Sequence, residues 1–155
     1  MRIASFAAAP ALALAALFAA GPVAAQSVSD TIAARQGQFK LMAHHVGPLV
    51  AMAQGNREYD ADVAQAAADN LVRIAGLDQG LLWPAGSDNA AAEGTRALPV
   101  IWEDLDGFTA RLGALREATA NMQAAAGQDL DALRGALGAV GGACSACHEG
   151  YRAPQ

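Results

Sequence analysis

The sequence of 155 residues is poor in the residues that favour β-strands: aromatic residues make up 5% of it, and β-branched residues are scarce. This shortage excludes a β-sandwich. Alanine instead accounts for 41 residues, and alanine, leucine and arginine are strong helix formers. A chain of this length forms one small domain, which excludes a large multidomain enzyme. Its apolar content of 54% is too high for a disordered protein. We therefore predict a single helical domain.

Basic residues are also scarce. Lysine and arginine total 10 against 15 acidic residues, and Lys40 is the sole lysine. No basic stripe exists that could neutralise phosphates, so the sequence excludes nucleic acid as a partner, and it excludes an anionic membrane surface for the same reason. The sequence also lacks the ring of lysines that steers some redox proteins onto an acidic partner. A redox partner is therefore not identified by charge.

The first 25 residues are predicted to be a cleaved signal peptide. They combine a positive charge at Arg2, a long apolar run and a small-x-small ending at Val23-Ala24-Ala25. A membrane anchor is the alternative, but Pro10 interrupts the run and no basic residues follow it. No other segment approaches the ~18 apolar residues that a bilayer span needs. Residues 26–155 then form an exported domain, expected in the periplasm, with a net charge of −6.

Four segments repeat apolar residues at alternating spacings of three and four, the period of a helix that buries one face. The segments run from Ser27 to Gln54, from about Asp60 to Leu77, from Pro99 to Ala126, and from Asp129 to Tyr151. Sustained spacing of this kind on long helices forms the seams of a bundle. The predicted fold class is all-α, an antiparallel four-helix bundle. The predicted stripes are Ile32, Arg35, Phe39, Met42, Val46 and Leu49; Val63, Ala67, Leu71 or Asn70, Ile74 and Leu77; Ile101, Leu105, Phe108, Leu112, Leu115, Thr119, Met122 and Ala126; and Leu130, Leu133, Leu137, Val140, Cys144, Cys147 and Tyr151.

The connection from Asp78 to Leu98 is long for a loop within a compact domain. Loops of this length are either disordered or functional. The apolar residues Leu81, Leu82 and Trp83 are expected to pin this loop to the bundle, so we predict that it is ordered.

Both cysteines lie in the motif Cys144-Ser145-Ala146-Cys147-His148. A thioredoxin-like redox pair needs a βαβ context that a helical chain lacks, and a zinc site needs about four ligands where this motif supplies three. A CxxCH motif in an exported protein is instead the signal for covalent haem attachment. The two thiols bond to the haem vinyl groups and the histidine ligates the iron. Because Cys144 and Cys147 continue the apolar stripe of the last helix, the haem is expected inside the bundle, near that helix.

A four-helix bundle with CxxCH near its C-terminus resembles the cytochrome c′ family. The resemblance extends over essentially all of residues 26–155. It rests on Arg35-Gln36, Gly55, Tyr59-Asp60, Trp83-Pro84-Ala85-Gly86, Ile101-Trp102, the motif from Cys144 to His148, and Tyr151-Arg152.

The resemblance implies what faces the iron on the side opposite His148. In cytochromes c′ that position is apolar, so the iron is five-coordinate and high-spin and the pocket admits small gases. Here the position falls on Phe39, whose phenyl ring cannot ligate iron. Met42 lies −60° from Phe39 around the helix and shares its face. The alternative is therefore a sixth ligand from Met42, whereas His44 and His45 point away from that face.

Further roles are implied by the same resemblance. Arg35 would pair with a haem propionate, and Arg152 would lie beside the proximal imidazole and tune ligand exchange. Other residues expected to contact the haem or wall its pocket are Gln36, Ser87, Asp88, Trp102 and Tyr151.

The resemblance leads us to expect a periplasmic, five-coordinate c-type haem protein. It would bind nitric oxide and carbon monoxide, for nitric oxide buffering or detoxification, and could also transfer electrons. The alternative is a low-spin electron carrier with His148/Met42 ligation. A haem enzyme is disfavoured because no acid/base pair is apparent near the expected iron face. Relatives pair through their first two helices, so a homodimer is expected.

Overall fold

A computed structural model describes residues 27–154, and the predicted signal peptide lies outside these residues. The described part contains helices and no strand. One isolated antiparallel bridge joins Ala97 and Arg152. The helices are α1 (Val28–Ala53), α2 (Ala61–Ala75), α3 (Val100–Glu103), α4 (Leu105–Ala125) and α5 (Leu130–Tyr151). No helix of residues 27–154 has the length and hydropathy of a membrane span.

The four long helices each begin at a side chain that accepts a hydrogen bond from the first turn. These N-caps are Ser27, Asp60, Asp104 and Asp129. Such caps satisfy backbone amides that have no partner within the helix. The sequence therefore specifies where each long helix begins through one local polar residue.

The four long helices form a closed ring in which α1 contacts α2 and α5, and α4 contacts α2 and α5. Neighbours run antiparallel, since Arg134 at the start of α5 donates to the carbonyl of Ala53 at the end of α1. In the same way Gln65 near the start of α2 donates to the carbonyl of Gln123 near the end of α4. This arrangement confirms the predicted four-helix bundle.

Two clusters of buried side chains hold the ring together. The larger lies along the bundle and includes Leu49, Leu71, Met122 and Leu133, among others. The smaller lies where α3, the start of α4 and the end of α5 meet, and consists of Ala97, Ile101, Phe108 and Tyr151. The smaller cluster places the C-terminal turn of α5 against the loop that precedes α3.

The third predicted helix was wrong as a single element, because the chain breaks at Asp104. There the backbone is at φ −129° and ψ 61°, outside the helical region. The carboxylate of Asp104 accepts one hydrogen bond from the amide of Gly107 and another, at 2.6 Å, from the hydroxyl of Tyr151. Leu105 is consequently 55% exposed at the first position of α4 instead of lying in the buried stripe.

Two apolar residues were also placed wrongly by the pattern. Leu81 was expected to pin the long loop, but its side chain is 84% exposed, and Leu77 lies exposed beyond the end of α2. The helix ends at Ala75 because Gly76 caps it, so Leu77 leaves the helical face on which the periodicity had placed it. Trp83, which was also expected to pin the loop, does hold it, with its ring packed against Phe108 at 4.6 Å.

Candidate haem site

The CxxCH motif lies on the last two turns of α5, at the junction of the two buried clusters. Cys144 packs against the larger cluster and Cys147 against the smaller one. Both thiols are free and half-buried. Residues three apart on a helix share one face, so the two sulfur atoms are offered on the same side of α5, as attachment to a single flat group requires.

The electrostatics of the motif fit the attachment of haem. Burial raises the pKa of the Cys144 and Cys147 thiols, and the charge of Arg152 offsets part of this effect. Burial also lowers the pKa of His148, and the charges of Arg152 and Arg96 lower it further. The thiols are therefore kept protonated, and each S–H can add across a vinyl double bond. The imidazole is kept neutral, which is the form that ligates a metal.

A zinc site does not fit the same residues. Within residues 27–154 no group of three or more histidine, cysteine, aspartate or glutamate side chains is placed to hold a metal ion. Cys144, Cys147 and His148 therefore do not form a ligand set by themselves, and zinc needs about four ligands.

Arg152 lies beside the imidazole of His148. Its NH1 is 3.2 Å from Nε2 of His148. A guanidinium has donors only, so it can hydrogen-bond to this nitrogen while the Nε2 lone pair is free. Iron bound at Nε2 would take that lone pair and leave Arg152 beside the ring as a neighbouring positive charge. Arg152 is itself in an extended conformation that ends α5, and this turns its side chain back along the last helical turn.

On α1, Phe39 and Met42 both pack on the larger cluster but differ in burial. Met42 is 8% exposed and belongs to the larger buried cluster. Phe39 is half-buried, and its ring lies edge-on to Trp83 with the centroids 6.5 Å apart. His44 is exposed and His45 is half-buried, and their rings contact each other at 5.2 Å. Of Phe39 and Met42, Phe39 is therefore the side chain that stays partly exposed.

Arg35 is the most heavily bonded side chain of the region and is 3% exposed. Its NH1 donates to the carbonyl of Leu82 at 3.3 Å and to the hydroxyl of Ser87 at 2.9 Å. Its NH2 donates to the carbonyl of Ser87 at 2.8 Å and to the hydroxyl of Thr95 at 2.9 Å. The guanidinium also lies 4.3 Å from the ring centre of Trp83. Arg35 thus ties the long loop to α1.

The charge of Arg35 has no anionic partner within residues 27–154, where the single ion pair joins Arg134 and Asp131. Burial lowers the pKa of Arg35, yet arginine remains protonated in proteins. A buried, positively charged group without a carboxylate partner suits an anionic substituent such as a haem propionate.

The other polar residues predicted at the site are Ser87, Asp88 and Gln36. Ser87 is fully buried and bonds to Arg35. Asp88 accepts hydrogen bonds from the amides of Ala90 and Ala91 and so shapes the loop. Gln36 is exposed and donates to the carbonyl of Gly94 at 2.6 Å. In the structure all three residues hold the loop.

Five aromatic residues form one connected chain from α1 to α5. It consists of Phe39, Trp83, Phe108 and Tyr151, with Trp102 contacting Trp83 at 6.4 Å. Both indole N–H groups are bonded within the protein, since Trp83 donates to Oε1 of Gln79 and Trp102 donates to the carbonyl of Trp83. This chain of rings connects the predicted distal residue to the end of α5.

Sequence reasoning missed Thr95, Arg96 and Asp104. Thr95 accepts the fourth hydrogen bond of Arg35, and Arg96 donates to the carbonyl of Ala153 in the C-terminal segment. Asp104 accepts a hydrogen bond from the hydroxyl of Tyr151. Aspartate is a favoured N-cap residue, but the unbroken apolar period through Leu105 favours one continuous helix and so hides the cap at Asp104. The partners of Thr95 and Arg96 are 60 and 57 residues away, and no local pattern indicates them.

Comparison with known proteins gives one consistent result. The family model described as Cytochrome C′ matches residues 30–152. Cytochrome c-554 from Cereibacter sphaeroides is 45% identical over 92% of this chain and 95% of its own. The solved cytochrome c′ from Rhodobacter Spheriodes has a TM-score of 0.81 at 40% identity, covering 83% of this chain and 99% of that one. The nitric oxide complex of a variant of cytochrome c prime from Alcaligenes xylosoxidans has a TM-score of 0.72 at 33% identity, covering 83% and 98%. These similarities span the bundle from α1 to α5.

Proposed function

This chain belongs to the cytochrome c′ family, whose members bind haem c covalently, and we propose that it is a high-spin, five-coordinate haem protein of the periplasm that binds nitric oxide. It would also bind carbon monoxide, and it would serve nitric oxide buffering or detoxification while remaining able to transfer electrons. Haem iron supplies the coordination position at which a small gas binds.

The residues that hold the haem in this proposal are Cys144, Cys147 and His148. Two half-buried thiols on one face of α5 and a neighbouring neutral imidazole are the donor set that covalent haem requires. Arg35 would offer its buried charge to a propionate. Trp102, which contacts Trp83, and Tyr151, which contacts Phe108, would form walls of the pocket.

The observation that carries the high-spin assignment is the contrast between Phe39 and Met42. The Met42 side chain is already covered by the larger buried cluster, so turning its sulfur toward iron would remove it from that packing. Phe39 is half-buried and rests on Trp83. A partly uncovered phenyl ring suits a lid over an open coordination position, and a phenyl ring supplies no ligand.

We base selectivity for nitric oxide over oxygen on the two indole N–H groups near Phe39, which already have partners within the protein. Bound oxygen is stabilised by donors in the distal pocket, whereas nitric oxide does not depend on them. The indole N–H groups of Trp83 and Trp102 are both occupied by partners within the protein. The related protein from Alcaligenes xylosoxidans, solved as a nitric oxide complex, supports the same ligand for this chain.

Gas binding to Phe39 variants tests this proposal. The reduced holoprotein should take up nitric oxide and carbon monoxide, and Phe39→Ala should speed carbon monoxide association about tenfold, the effect of removing a steric barrier of about 1.4 kcal/mol. Val50→Ala, on the same face of α1 three turns away, is the matched control and should leave the rate unchanged. A reduced protein that takes up neither gas, or equal rates for the two variants, would contradict the proposal.

A low-spin electron carrier is the second candidate, because Met42 lies one turn from Phe39 on α1. In that case the thioether of Met42 would be the sixth ligand and would have to leave its buried position. The reduced protein would then bind carbon monoxide slowly in Phe39→Ala as well as in the unchanged chain. Faster gas binding would instead follow Met42→Leu.

Export and dimer formation complete the proposal. Cleavage after Ala25 predicts a periplasmic protein that begins at Gln26, and the mass of the purified holoprotein checks this. Pairing through α1 and α2 is supported by Leu41, which is 54% exposed on α1. In sedimentation experiments the unchanged chain should be a dimer and Leu41→Glu a monomer. A monomeric unchanged chain would refute the pairing.

A further inference from the structure

The C-terminal segment that follows α5 is paired with the segment that precedes α3. The amide of Leu98 donates to the carbonyl of Tyr151 at 3.1 Å, and the amide of Ala153 donates to the carbonyl of Arg96 at 2.8 Å. These two bonds flank the antiparallel bridge between Ala97 and Arg152. A chain end without such pairing would fray, so this contact fixes where the residues after α5 lie.

The side chain of Arg96 reinforces this pairing. Its Nε donates to the carbonyl oxygen of Ala153 at 2.8 Å, and its NH2 donates to the same oxygen. Arg96 is half-buried, as is Ala153. Arg96 therefore holds the residue directly after Arg152 through both its backbone and its guanidinium. We call these contacts between residues 96–98 and 151–153 the C-terminal clasp.

The clasp determines where Arg152 points. Arg152 is extended, at φ −128° and ψ 127°, and its NH1 lies 3.2 Å from Nε2 of His148. If Ala153 were released, the backbone of Arg152 would be free to rotate and its guanidinium would lose this position. The guanidinium of Arg96 lies on the carbonyl of Ala153, the residue directly after Arg152, so a second positive charge is held at this end of α5.

We propose that Arg96 is a positioning residue for the iron-ligand side of the site: it holds Arg152 next to His148 through the C-terminal clasp and adds a second positive charge there. The proposal rests on the proposed role of His148 as the axial ligand. A positive charge near iron stabilises the reduced form, which carries one electron more. Removing Arg96 should therefore lower the reduction potential through its own charge and through the displacement of Arg152.

The test compares Arg96→Gln with Arg57→Gln in the holoprotein. Arg57 is exposed in the turn after α1, so both variants change the net charge equally and only one touches the clasp. The two measurements are the reduction potential, from a spectroelectrochemical titration, and amide hydrogen exchange at Ala153 and Leu98. We expect Arg96→Gln to lower the potential more than Arg57→Gln does. It should also speed exchange at the two amides about tenfold, as expected when a clasp of this size loosens.

Arg96→Lys separates the charge from the geometry. Lysine keeps the positive charge but lacks the forked donors, so it should restore part of the potential and leave exchange at Ala153 fast. Equal potentials in Arg96→Gln and Arg57→Gln overturn the proposal, even if exchange is faster, because Arg96 would then stabilise the fold alone. Neither measurement involves gas binding. A protein that binds no nitric oxide would refute the proposed function and leave the difference in potential intact.

Discussion

Replacing Arg35 by methionine removes the guanidinium that holds the loop between α2 and α3, and keeps much of the aliphatic length that packs against Trp83. Four hydrogen bonds disappear together. The hydroxyl and the carbonyl of Ser87, which is fully buried, both lose Arg35 as their hydrogen-bond donor. The loop should therefore loosen in the folded protein, and the free energy of unfolding should fall.

The size of the loss follows from these contacts. Each hydrogen bond contributes about 1 kcal/mol net, which gives about 4 kcal/mol for four. The substitution also leaves the buried hydroxyl and carbonyl of Ser87 without a partner, and each such group costs about 1–3 kcal/mol, which agrees with that figure. Arg35→Met should therefore lower the free energy of unfolding by about 3–5 kcal/mol. Ser87→Ala removes one bond and leaves three on Arg35, so it should lower the free energy by about 1 kcal/mol.

Urea denaturation of the holoprotein, followed by circular dichroism and by the haem absorbance, measures these losses. Arg57→Met, at an exposed arginine outside the loop, is the control and should stay within about 0.5 kcal/mol of the unchanged chain. An Arg35→Met protein as stable as Ser87→Ala would refute the reasoning, because the remaining three bonds would then contribute nothing.

Three further predictions concern the helices. Gly107→Ala should lower the melting temperature, because a Cβ there would lie 2.6 Å from the hydroxyl of Tyr151 and closer still to the Asp104 carboxylate. The hydrogen bond from Tyr151 lowers the pKa of Asp104 and raises the pKa of Tyr151 itself. It therefore contributes stability between about pH 4 and pH 10. This contribution is lost as pH falls through the Asp104 pKa or rises through the Tyr151 pKa. In Tyr151→Phe the free energy of unfolding should therefore depend less on pH at both the acid and the alkaline end. Leu133→Ala, at a fully buried position, should cost about 2–5 kcal/mol in urea denaturation.

The substitutions at Gly107 and Leu133 each have a matched control. Gly113→Ala lies on the same helix as Gly107 and its Cβ would meet nothing within 4 Å. It should therefore raise the stability by up to about 1 kcal/mol through helix propensity. Leu81→Ala removes an exposed side chain and should change the stability by less than about 0.5 kcal/mol. If a variant and its control change the stability equally, the contact proposed for that variant is absent. An unchanged pH profile in Tyr151→Phe would likewise show that its hydrogen bond to Asp104 is absent.

The sequence predicts α5 and its motif well because both depend on local information. Asp129 caps the helix, apolar residues recur at the helical period up to Tyr151, and α5 begins and ends as expected. The CxxCH motif likewise carries its chemistry in five adjacent residues. Family resemblance then adds Phe39 and Arg35, which no local pattern identifies.

The break at Asp104 could not be predicted in the same way. The apolar period runs without interruption through Ile101, Leu105 and Phe108, so periodicity favours one continuous helix. The break depends on Tyr151, which is 47 residues away and donates to the Asp104 carboxylate. Tertiary contacts of this kind override local propensity.

Leu81 shows a second limit of pattern reading. An apolar residue in a loop is often exposed, since much of a folded surface is apolar. The residue that anchors the loop in the structure is Trp83, through its contacts with Phe108 and Arg35. The hydrogen bonds of Arg35 with the loop depend on the loop conformation, which its composition does not specify.

The measurement that tests the central claim most directly is the electron paramagnetic resonance spectrum of the ferric holoprotein, compared with that of Met42→Leu. An open coordination position under Phe39 predicts a high-spin spectrum for the unchanged chain and the same spectrum for Met42→Leu. A low-spin spectrum that becomes high-spin in Met42→Leu would contradict the account, because it would make Met42 the sixth ligand and the protein an electron carrier.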